Sequence, residues 1–98
     1  MSKIRLLVLD VLKPHEPSIL KLATTLSDLE GVDGTDITLY EIDSKVENVK
    51  ITLQGNDIDF NDVKKCVEDS GGSIHSIDKV SSGSVIVKEA ETHQDGPS

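Results

Sequence analysis

A chain of 98 residues with one Phe, one Tyr and no Trp has room for a single domain that buries about 60% of its unfolded surface, so its thin core must come from Leu, Ile and Val. The formal net charge of −8 repels phosphate backbones and anionic bilayers, which argues against nucleic acid and membrane as partners. A lone cysteine, Cys66, excludes an intrachain disulfide and any multi-cysteine metal site; with no apolar run of membrane length and no signal-peptide pattern, the expectation is a cytoplasmic protein.

The first element is Lys3 to Leu12, almost continuously apolar, as in a central strand covered on both faces. Helices cover one face of a two-layer domain, so the second apolar face of this strand implies another copy of the chain. Asp10 is its one acidic residue, read either as a strand-end residue in solvent or as a ligand or ion-pair partner. Lys13-Pro-His-Glu-Pro-Ser18 is a stiff connection, with Pro17 suited to the first turn of a helix. That helix is predicted to run to about Glu30, with Ile19, Leu22, Ala23, Leu26 and Leu29 on one stripe and Gly31 as its stop.

Apolar residues then alternate with polar ones over Ile37 to Ile42 and Val49 to Leu53, joined through Asp43-Ser-Lys45: a β-hairpin. By alternation Tyr40 and Ile42 fall on the face away from the helices. Gly55-Asn-Asp57 reads as a turn, and Asp57 or Asp59 as the cap of a second helix from Phe60. Its stripe is Phe60, Val63, Cys66 or Val67, and Ser70, which makes Cys66 a small buried hydrophobe rather than a nucleophile. Gly71-Gly72 ends it, and Ser73 to Val80 is the last strand. Residues 1 to 83 are thus expected to form the domain. Residues 84 to 98 are expected to hold a short strand, Val85 to Lys88, pairing with an edge of its own sheet or a neighbour's, and a disordered polar tail.

The order strand, helix, hairpin, helix, strand is that of an α+β ferredoxin-like βαββαβ fold, an antiparallel sheet of spatial order 4-1-3-2 with two helices on one face. Four segments carry a closer likeness: Asp10 to Ser18, Glu30-Gly-Val-Asp-Gly34, Glu47 to Gly55, and Gly71 to Asp78. Together they resemble the short archaeal proteins catalogued as domain of unknown function number 211, over roughly residues 3 to 82. The resemblance implies a cytoplasmic archaeal protein that assembles with itself, and it brings no activity with it. A looser similarity, to copper-carrying domains of the same topology, fails on chemistry, since the loop after the first strand holds no sulfur. Amino-acid-binding regulatory modules share the topology as well.

In this sheet the end of strand one lies beside the starts of strands three and four. That places Asp10 near Asn48 or Lys50 on one side and His75 on the other, with His15 and Glu16 leaving from the same end. Asp10, His15, Glu16, Lys50 and His75 are therefore the candidate ligand-binding residues, carboxylates and imidazoles being competent for proton transfer or a divalent cation. Carboxylates outnumber soft donors, so Ca²⁺ or Mg²⁺ is the expected ion, with Asp10, Glu16 and His75, and a second group of Glu41, Asp43 and Glu47 at the hairpin turn, as candidate ligands. The competing reading is a cross-strand Asp10–Lys50 ion pair, a hydrogen-bonded His75 and a solvated acidic loop. No nucleophile elbow, phosphate-binding glycine loop or His-Glu-x-x-His is present. The expectation is a self-associating, ligand- or metal-responsive binding module rather than an enzyme. A passive scaffold and a small enzyme using Asp10, His15 and His75 are the alternatives.

Overall fold

The computed structural model describes residues 2–90. Its elements are β1 (Ile4–Pro14), α1 (Ile19–Ser27), β2 (Val32–Ile42), β3 (Val46–Ile58), α2 (Phe60–Asp69) and β4 (Ser73–Ser82). The strands form one antiparallel sheet in the order β2-β3-β1-β4, the ferredoxin-like arrangement expected from the alternation of strand and helix periodicities.

The core follows from two periodicities meeting. Every second residue of β1 and β3 faces the helices, so Leu7, Leu9, Val11 and Val49, Ile51, Leu53 are buried there. Leu22 and Leu26 of α1 and Val63 and Val67 of α2, spaced four apart on one helical face, close over them. Ser18 caps α1 by accepting from the Lys21 amide, and Asp59 caps α2 by accepting from the Asn61 and Asp62 amides. Helix α1 stops at Ser27 rather than near Glu30, and Pro17 precedes its cap. The chain tightens through Leu29 so that Gly31, at φ +88°, can offer its carbonyl to the Asn56 and Asp57 amides of β3. A Cβ on Gly31 or Gly55 would sit within 2.0 Å of the other segment's backbone, so this crossing admits only glycine. Gly55 to Asp57 consequently extend β3 instead of forming a turn.

The opposite face of the sheet differs from the sequence expectation. There β1 offers Leu6, Val8, Asp10 and Leu12, all half-buried. Their register partners are Gln54, Thr52, Lys50 and Asn48 on β3, and Ser81, Lys79, Ser76 and Ser73 on β4. Cross-strand partners share a face, so the open side is an apolar ribbon one strand wide within a polar surround. Tyr40 does lie on this side, but it is the extra residue of a β-bulge between Leu39 and Glu41. The bulge returns Ile42 to the side of its partner Glu47, correcting the placement that plain alternation gives. The expected strand at Val85 to Lys88 is not formed: residues 83–85 bend and 86–90 carry no regular structure. Arg5 holds the start of this segment through the Gly83 and Ser84 carbonyls, and Lys79 meets Glu89 at 3.6 Å. The predicted tail from residue 91 onward lies outside the described residues.

Candidate functional site

Two polar groups stand out, one on each face of β1. On the open face a belt crosses all four strands. The Tyr40 hydroxyl of β2 donates to an Asp10 carboxylate oxygen on β1 and lies 3.3 Å from the Asn48 side-chain oxygen of β3. Lys50 of β3, the register partner of Asp10, turns its ammonium to Asp78 of β4 at 3.4 Å, and the Ser76 hydroxyl donates to Asp78 at 2.7 Å. Asp78 reaches this face because it is a bulge residue of β4, between the partners of Val8 and Leu9. The Asp10 bond and the surrounding carboxylates push the Tyr40 hydroxyl up to about 12. Ser76, then Lys50, holds Asp78 below the usual carboxylate range.

On the helix side, the alternation Leu7, Leu9, Val11 continues into Lys13, which therefore points inward and has a side-chain exposure of 0%. Its ammonium donates to Glu47 Oε1 at 3.0 Å and to the Pro14 carbonyl at 2.7 Å. His15 Nδ1 lies 3.1 Å from Glu47 Oε2. An ionised carboxylate only accepts, so Nδ1 carries the hydrogen. Glu47, 13% exposed, is held below its ordinary value by Lys13 and then His15. His15 is raised by the bond to Glu47.

The structure thus brings together Asp10 and Lys50, with the exposed His75 on the β4 bulge beside Ser76. It separates His15 from them, across the sheet. Glu16 is exposed on the loop, Glu41 is exposed at the strand end, and Asp43 accepts from the Lys45 and Val46 amides to form the hairpin turn. Among the described residues no three His, Cys, Asp or Glu side chains are grouped to hold a metal ion; the candidate ligands Asp10, Glu16, His75, Glu41, Asp43 and Glu47 do not converge, and Glu47 is committed instead to Lys13 and His15. Lys13, Ser76 and Asp78 were not singled out from sequence. The inward alternation of β1 carries a signal for Lys13, whereas the bulge that turns Asp78 has none. Cys66 is half-buried, its thiol raised by burial and by Asp69. No helix is long and apolar enough to cross a membrane among the described residues.

The family model DUF211, described as "Uncharacterized ArCR, COG1888", matches residues 5–96. The chain belongs to this family. It is also 50% identical over 95 residues to an uncharacterized protein of the archaeon Methanocaldococcus jannaschii, covering 97% of this chain and 98% of that protein. The DUF211 match takes in both polar groups, from Arg5 through β4, and extends beyond the last strand.

Proposed function

We propose that this DUF211 protein is a homo-oligomeric binding module with a regulatory rather than catalytic role. Copies associate through the strand edges, and the open-face belt takes a small polar ligand. The observation that carries the reading is where exposed apolar side chains gather. Apart from Leu20, the large ones among the described residues lie on the edge strand β2 and its hairpin, on the edge strand β4, or on the segment after β4. Unpaired edges flanked by apolar side chains are the usual templates for association. The narrow ribbon of Leu6, Val8 and Leu12 adds little area, so the edges rather than the open face are the contact.

Asp10, Tyr40, Asn48, Lys50, Ser76 and Asp78 offer donors and acceptors of both charges, which suits a zwitterionic or hydroxylated small molecule better than a bare cation. Catalysis is not part of the proposal, because His15 and Asp10 lie on opposite faces. Native mass spectrometry with and without chelator tests the reading: oligomer masses carrying a chelator-resistant small ligand support it, and a bare monomer contradicts it. The exposed Val85, Ile86 and Val87 favour one second reading, a scaffold that receives a different protein. A stoichiometric heteromer without small ligand is its signature.

A further inference from the structure

The group formed by Lys13, Glu47 and His15 is unused by the proposed function, and its geometry is unusual for so small a domain. A lysine with no exposed side-chain surface requires a counter-charge, and Glu47 supplies it from the register-paired position on β3. Glu47 has two carboxylate oxygens. One is committed to Lys13 and the other to His15. His15 belongs to the connection between β1 and α1, whereas Glu47 stands just after the β2–β3 turn. The carboxylate therefore joins a core charge, a surface imidazole and the base of the hairpin.

We propose that Lys13, Glu47 and His15 form a proton-operated latch, in which the charged imidazole clamps the β1–α1 connection against the hairpin and its deprotonation loosens that clamp. Neutral His15 still donates from Nδ1, but a charge-assisted bond is roughly twice as strong as a neutral one. The other ionisable groups facing His15 are few. Asp43, in the turn, is lowered mainly by the Lys45 and Val46 amides and then by the His15 charge, and its carboxylate favours the proton on His15. Glu16 is the exposed neighbour in the same connection and Lys45 the exposed cation of the turn. From the α2–β4 turn, Gly71 comes up against Pro14 and brings no charge.

The two ends of the latch titrate in opposite senses. His15 is raised on folding, so its contribution is complete below the unfolded imidazole value and is lost as pH climbs through the folded one. Glu47 is lowered, so its contribution is complete above the unfolded carboxylate value and is lost as pH falls through the folded one. The clamp is tightest in the mildly acidic window between them, and moderate alkalinity is the physiological direction that releases it.

Amide hydrogen exchange of residues 41–46, followed by NMR and corrected for intrinsic base catalysis, tests the latch. In the wild-type protein, protection of these amides is expected to fall about two- to tenfold as the pH rises through the His15 titration. His15→Asn keeps a neutral donor at the Nδ1 position and should make protection independent of pH over that range. Glu47→Gln should return the His15 titration toward about 6.5; if that variant does not fold, the His15→Asn comparison decides alone. A wild-type His15 that titrates at the ordinary value with unchanged hairpin protection overturns the proposal, as does a His15→Asn variant with the same pH response as wild type.

Discussion

From Leu6 to Lys13, strand β1 is one ribbon with two faces, each made of three apolar residues and one charge. Leu7, Leu9, Val11 and Lys13 face the helices, and Leu6, Val8, Asp10 and Leu12 face away. Composition is nearly the same, yet the first set is 0–1% exposed and the second half-buried. The difference comes from the neighbours: apolar β3 and helix residues on one side, and polar partners on the other. Identical chemistry therefore acts through desolvation on one face and through exposed hydrogen bonds on the other.

Substitutions can break this contrast. The largest effect is expected for Glu47→Gln, which strands the buried Lys13 ammonium and should cost about 3–5 kcal/mol by urea unfolding. Lys13→Met, which removes the buried charge itself and keeps a stem of similar length, should cost far less. Leu9→Ala should cost about 3 kcal/mol, as for a fully buried leucine, whereas Val8→Ala on the open face should cost about 1 kcal/mol. Equal costs for these two would show that both faces are equally covered.

The open-face belt is sharpened by a spectroscopic readout, since Tyr40 is the sole tyrosine and no tryptophan is present. Its absorbance should titrate at about 12, and Asp10→Asn should bring it toward about 10. Lys50→Ala should be smallest, within about 1 kcal/mol, because the Lys50–Asp78 pair is solvent-exposed.

The fold was legible because β1 is a nearly continuous apolar run, and the hairpin and both helices carry their own periods, with caps and stops where the chain turns. Ser18, Asp59 and Gly71 all act as their residue types suggest. The candidate site was legible only in part. Asp10 and Lys50 are brought opposite one another by the strand order alone. His15 was misplaced because a loop residue's direction follows from what its side chain bonds, here Glu47, and not from its sequence neighbours. Tyr40, Asp78 and Ile42 depend on bulges in β2 and β4, which shift the two-residue period without a sequence mark. Val85 to Lys88 has strand composition but pairs with neither free edge of its own sheet, and composition by itself does not create that pairing.

Self-association through the strand edges is the claim on which the functional reading stands, and static light scattering of the purified chain at micromolar concentration measures it directly. The account predicts a mass that is a stable multiple of 10.6 kDa, reduced when Ile77 and Val80 on β4 are replaced by Lys. A single species at the mass of one chain would contradict it.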